Sequence, residues 1–163
     1  MPLVPIIMGS KSDLRHGQEI AAELAKFGIA SEIRVASAHK APQYVLGLLA
    51  DYEADPQPKV YVTVAGRSNA LSGLVDGSVA APVIACPPYS DRFGGADIFS
   101  SLRMPSGIAP AVVLEPSAAA LLAAKILALA DPELRQRVVQ AQHVAQDTIT
   151  SDDKAVREDH TQS

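Results

Sequence analysis

Cysteine is nearly absent from this chain of 163 residues, tryptophan is wholly absent, and Phe and Tyr number only 3 and 4. The single Cys86 excludes an intrachain disulfide and leaves no partner for a cysteine-based metal motif, so a reducing compartment, the cytoplasm, is expected. Clusters of Lys and Arg are also missing. With 14 basic residues against 18 acidic ones and a net charge of -4, no general affinity for nucleic acid is expected. Long hydrophobic runs are lacking too. The longest, Ser117 to Ala130, is broken by Lys125 and is too short to cross a bilayer. The opening "MPLVPIIMGSKSD" has neither a basic leading region nor a small-residue cleavage site, and reads as a first strand.

What is present is the composition of one folded domain: 48% hydrophobic and 20% charged residues, in a length that suits one core and not two. Short apolar runs alternate with longer amphipathic segments. Leu3 to Met8 reads as a buried strand, with Pro5 suggesting an edge or a strand start. Leu14, Ile20, Ala21, Leu24 and Phe27 then share a helical face that Gly28 ends. Ala30 to Ala36, Lys59 to Ala65, Ala81 to Pro88 and Ala109 to Glu115 give four further strands. Helices are expected over Ala41 to Asp55, over a short stretch after Gly66, over Ala96 to Leu102, over Pro116 to Ala130 and from Pro132 to about Thr150. Residues 1–150 form the expected domain, and residues 151–163 a loose polar tail.

Strands alternating with helices imply an α/β fold, a parallel sheet covered on both faces. Ligands in such sheets bind outside the carboxyl ends of the strands. The loops there are "GSKSD", "SAHK", "GRSNALSG", "PPYSDRFGG" and "EPSAAA".

In the first of these, Gly9, Ser10, Ser12 and Asp13 join a strand to a helix, where backbone N–H groups, hydroxyls and the helix dipole can hold a phosphate; ordinary capping is the competing explanation. The spacing is neither a Walker A nor a dinucleotide fingerprint. In the second, Ser37 and Ala38 precede His39, the candidate proton carrier, and Lys40, an anion partner. His16 is expected on the polar part of the first helix, His143 on the last and His160 in the tail. In the third, Gly66, Arg67, Ser68 and Asn69 combine a planar guanidinium with an amide that donates and accepts. Cys86 could be a nucleophile, but a small core residue fits better before two prolines. "SSLRMPSG" reads as a lid or wall, with Ser100, Ser101 and Arg103 free for a ligand or a neighbouring subunit.

Together "MGSKSD", "SAHKAP", "AGRSNALSG", "ACPPYSDRFGGADIFSSLRMPSG" and "SAAALLAAKIL" resemble the phosphoribosylaminoimidazole (AIR) carboxylase family, specifically its class II members, from about Leu3 to Ala130. Class I members, N5-carboxyaminoimidazole ribonucleotide mutases, typically carry "SAHR" and a second histidine in the third loop; here Lys40 and "GRSNALSG" stand there. The resemblance implies a three-layer α/β/α sandwich of the flavodoxin-like, Rossmann-like kind, with five mostly parallel strands and an extra C-terminal helix. It implies reversible carboxylation of AIR by CO2 without ATP, biotin, metal or other cofactor. Carried over by position, Ser10, Ser12 and Asp13 meet the ribose phosphate, with Asp13 on the ribose hydroxyls. Ser37 and Lys40 hold either phosphate or the carboxylate, Gly66, Arg67 and Ser68 wall the CO2 and imidazole side, and His39 is the general acid/base. A symmetric homo-octamer is implied, with the Pro116 to Ala130 helix and the last helix as packing surfaces. The rivals are the class I mutase and a non-catalytic flavodoxin-like nucleotide-binding module.

Overall fold

A computed structural model describes the backbone of residues 1–161 and the side chains of residues 1–159. Gln162, Ser163 and the side chain of His160 lie outside the described residues. Five strands, β1 (Leu3–Met8), β2 (Ala30–Val35), β3 (Tyr61–Val64), β4 (Val83–Ala85) and β5 (Ala111–Val112), form one sheet. All four neighbouring pairs are parallel, in the order β2-β1-β3-β4-β5. The helices are α1 (Leu14–Lys26), α2 (Pro42–Glu53), α3 (Leu71–Asp76), α4 (Phe99–Leu102), α5 (Pro116–Leu127) and α6 (Pro132–Thr161). This is the expected flavodoxin-like α/β architecture. Its topological switch lies between β1 and β3, from which the chain runs outward to opposite sides.

Strand alternation divides the core. Val4, Ile6 and Met8 face the α1, α5 and α6 side together with Val62, Val64 and Ile84. Ile7, Tyr61 and Val83 face the α2 and α3 side, as a period of two requires. Both faces are therefore covered. Helix α1 approaches β1 closely at Gly17, where an added Cβ would stand 2.8 Å from the Met8 sulfur. The chain turns out of α1 through Gly28 at φ +69°, the left-handed conformation that glycine adopts without steric cost. Pro42 and Pro116 open α2 and α5 at positions whose N–H needs no helical partner.

Four expectations change. Pro5 lies inside an interior strand, since β1 pairs with both β2 and β3. Leu3 bonds towards β3 through its N–H and C=O, so alternation aims the missing Pro5 N–H the same way. Pairing is interrupted there, between the Leu3–Lys59 bridge and the Ile6–Val62 register. The gap costs a bond, not the strand's place.

The expected loose tail is helical: α6 continues through Thr161. It is capped by the Asp131 carboxylate, which accepts from Leu134 N–H at 2.9 Å, and it is docked by buried Leu134 and Val138. Arg137 also donates from Nε to the Phe27 carbonyl at 2.8 Å. Beyond Val138 the helix leaves the body, and exposed ion pairs such as Lys154 with Glu158 at 3.8 Å support it.

Helix α5 spends its alanine face within the chain, where Ala119, Ala120, Ala123 and Ala124 are fully buried. Small side chains let it lie close to α1. Exposed apolar side chains remain at Leu129, at the end of the same segment, and along α6 at Val144, Ile149 and Val156.

Finally, His16 is not spent on a polar helix face. Its Nε2 lies 3.3 Å from Cys86 Sγ, at the end of β4. Among the described residues no helix is long and apolar enough to cross a membrane.

Candidate functional site

A cavity of about 700 Å³ opens at the carboxyl edge of the sheet, over the β1–β3 switch. The loop after β1 contributes Gly9, Ser10, Ser12 and Asp13; the loop after β2 contributes Ser37, Ala38, His39 and Lys40; the turn after β3 contributes Ala65, Gly66, Arg67 and Ser68. Of the candidate residues on the first three loops, all but Asn69 line this one space.

Local bonds shape the first two loops. Ser10 is the N-cap of the short 3-10 turn Lys11–Asp13, accepting from Ser12 N–H at 3.2 Å and from the Ser12 hydroxyl at 2.9 Å. Capping and ligand binding thus share residues, since Ser10 and Ser12 line the cavity as well. Burial pushes the Asp13 carboxyl above its ordinary value, against the opposing pull of the Ser12 hydroxyl and of the nearby His16 and Arg67. The Ser12 hydroxyl lies 3.5 Å from Asp13 Oδ1. Ser37 fixes its loop by accepting from Lys40 N–H at 3.3 Å and, through its carbonyl, from Ala41 N–H at 2.9 Å. His39 and Lys40 are exposed side chains on the cavity wall. Among the described residues His39 is the only histidine lining the cavity.

The third loop is held from a distance. Arg67 has φ +59°, the one non-glycine residue with positive φ among those described. Its N–H donates to Asp97 Oδ2 at 3.0 Å, and its carbonyl accepts from the Ser100 hydroxyl at 3.1 Å. Asn69 is buried instead of facing the cavity. It donates from Nδ2 to Ser101 Oγ at 2.9 Å, accepts from Ser72 N–H at 3.1 Å, and donates its own N–H to Ser100 Oγ at 3.0 Å. Ser100 and Ser101 are accordingly engaged inside the chain and are not free for a ligand, as was expected of them.

The long connection after β4 completes the wall with Pro88, Tyr89, Ser90, Arg92 and Asp97. The residues of "PPYSDRFGGAD" carry the polar composition of a site loop, but nothing in their spacing says which side chains turn back across the sheet. Cys86 does not serve the cavity. It is fully buried, with its thiol pushed up to about 12 by burial and, secondarily, by Glu115. It remains a protonated core residue.

A family model described as AIR carboxylase matches residues 3–148. The phosphoribosylaminoimidazole carboxylase of Treponema denticola is 55% identical over 156 residues, covering 96% of this chain and 98% of its own. That of Archaeoglobus fulgidus is 57% identical over 152 residues, covering 93% and 83%. The crystal structure of Treponema denticola PurE superposes with a TM-score of 0.93 at 56% identity, over 94% of this chain and 98% of that one.

Proposed function

The chain belongs to the AIR carboxylase family, enzymes of purine biosynthesis, and we propose that it joins CO2 directly to C4 of AIR, the class II reaction, giving 4-carboxy-AIR. The observation that carries this reading is one cavity in which a single histidine, His39, stands with Lys40 and the Gly66–Ser68 turn. The class I alternative would use an arginine after the histidine and a second histidine in the third loop.

In this reading Ser10, Ser12 and Asp13 hold the ribose phosphate end, with Asp13 on the ribose hydroxyls. The Asp13 carboxylate lines the cavity and can accept from two hydroxyl donors. Ser37 and Lys40 hold phosphate or the incoming carboxylate, and Gly66, Arg67 and Ser68 wall the CO2 and imidazole side. The AIR amino group makes C4 electron-rich, so holding C4 against CO2 converts a bimolecular step into a positioned one. The C4 electron pair forms the new carbon–carbon bond, and C4 becomes tetrahedral, carrying both a proton and a carboxylate. His39 takes that proton, the C–H electron pair returns to the ring, and aromaticity is restored. In reverse, the imidazolium protonates C4 before CO2 departs.

His39 and Lys40 are open to solvent in a single chain. On the connection after β4, Tyr89, Phe93, Phe99 and Leu102 are exposed apolar groups as well. A homo-octamer with sites near subunit boundaries accounts for both, because neighbouring copies would cover those groups and limit water at the reacting carbon. AIR-dependent uptake of CO2 without ATP is the expected activity. Turnover of N5-carboxy-AIR with none of AIR plus bicarbonate would instead establish the mutase.

A further inference from the structure

Arg67 occupies a backbone region that non-glycine side chains seldom adopt, and such a conformation persists only where the surroundings over-determine it. Both ends of the residue are bound by one distant segment. Asp97 accepts its N–H, and Ser100 donates to its carbonyl. The Ser100 hydroxyl has one proton, which the Arg67 carbonyl at 3.1 Å and the Asp97 carbonyl at 2.8 Å share, while its oxygen accepts from Asn69 N–H. The carboxylate, the hydroxyl and the turn thus form one closed circuit.

Peptide planarity gives the circuit a consequence at the cavity. In a trans peptide the N–H and C=O point in opposite directions. Binding Arg67 N–H to Asp97 therefore fixes the direction of the Gly66 carbonyl, and binding the Arg67 carbonyl to Ser100 fixes that of Ser68 N–H. Gly66 and Ser68 both line the cavity. Among the described residues neither the Gly66 carbonyl nor Ser68 N–H has a partner, so one acceptor and one donor are held in set directions with their capacity unused. We propose that Asp97 and Ser100 are positioning residues for the carboxylation, orienting these two peptide groups at the CO2 side without touching a reactant through the hydroxyl. The inference rests on the direct carboxylation proposed above, in which the same turn walls the CO2.

Two measurements on the full chain test it: steady-state constants for CO2 and AIR, and hydrogen–deuterium exchange of the peptide spanning residues 66–70 in unliganded protein. Ser100→Ala is expected to raise KM for CO2 by up to about tenfold, the worth of one hydrogen bond at the upper end of its range, with little change in KM for AIR. It should also speed exchange in the turn, and Ser100→Thr, which keeps the hydroxyl, should restore both. Asp97→Ala should speed the same exchange. Equal impairment of the Ala and Thr variants at position 100, parallel changes in both KM values, or unaltered exchange in Ser100→Ala and Asp97→Ala would overturn the proposal. Wild-type protein that takes up no CO2 with AIR would overturn the functional reading instead, and the exchange result would still decide whether the clamp exists.

Discussion

The loops after β1 and β2 are stabilised by bonds within themselves, whereas the connection after β4 reaches across the sheet to hold the turn after β3. Ser10 with Ser12, and Ser37 with Lys40, are pairs two or three residues apart. Asp97 with Arg67 and Ser101 with Asn69 span 30 and 32 residues. The near loops carry the groups that would bind phosphate and move a proton; the far loop carries the scaffold that gives the third wall its shape. Chemistry and support are therefore separable, and substitutions in the two regions should fail in different ways.

The largest effect is expected in the near region. His39→Asn should bind AIR yet lose carboxylation by about 10²- to 10⁴-fold, the usual worth of general acid/base assistance. Turnover of that variant close to the unmodified rate would break the assignment, because among the described residues no other histidine lines the cavity.

Asp13→Asn follows, and it separates binding from stability. Removing a charge-assisted bond to the ribose should weaken AIR by roughly ten- to a hundredfold, at 1.5–3 kcal/mol. The unliganded protein should behave in the opposite sense. The folded carboxyl value lies above the unfolded one, so the protonated form is the one that folding favours. Its contribution is complete at low pH and is lost as pH rises through the raised folded value. At neutral pH the ionised side chain is a net cost, so Asp13→Asn should raise Tm at pH 7 and should do so less as pH falls towards the carboxylate range. A lowered Tm at pH 7 would mean that Asp13 supports the fold and not the ligand.

The legibility of the sequence divides along the same line. Period-two apolar runs and turn residues located the five strands, and the rule that ligands gather at carboxyl ends brought Gly9 to Asp13, Ser37 to Lys40 and Gly66 to Ser68 to one place. Those signals are local, so they can be read along the chain. Asn69 reads as a ligand group because polar residues in turns often are; its bond to Ser72 is local, but its Nδ2 partner Ser101 lies 32 residues on, where a later segment has to fold back. The left-handed backbone at Arg67 was equally hidden, since arginine carries none of glycine's conformational warning. The long tail helix was obscured by its polar composition, which removes the apolar stripe that marks a packed helix. The position of His16 is not legible from the helical pattern for a related reason: its neighbour Cys86 lies 70 residues away.

Asn69→Ala tests the connection between the two regions. It leaves buried Ser101 Oγ and Ser72 N–H without their partner, which should cost about 1–3 kcal/mol and lower Tm by roughly 2–4 °C for each kcal/mol in a chain of this size. Loss of catalysis through KM for CO2, with AIR binding kept, would sharpen the distinction between support and chemistry. Unchanged stability would show that the far connection does not hold the turn.

The smallest effect should come from Cys86, whose position at the end of β4 invites a catalytic interpretation. Its sulfur is fully buried and contacts His16 Nε2 at 3.3 Å and the Leu114 carbonyl at 3.6 Å. A cysteine–histidine pair of this kind would be reactive if the thiol ionised. Burial pushes it up to about 12 instead, so at neutral pH the thiol stays protonated and the thiolate, the form that attacks, is scarce. Cys86→Ala should therefore retain turnover and lose about 1 kcal/mol of stability, the worth of one buried methylene-sized group. Alkylation by iodoacetamide should be slow in the native protein and fast after denaturation. Rapid labelling of the native state, with loss of activity in step, would place reactive chemistry in the far region and collapse the division between the two.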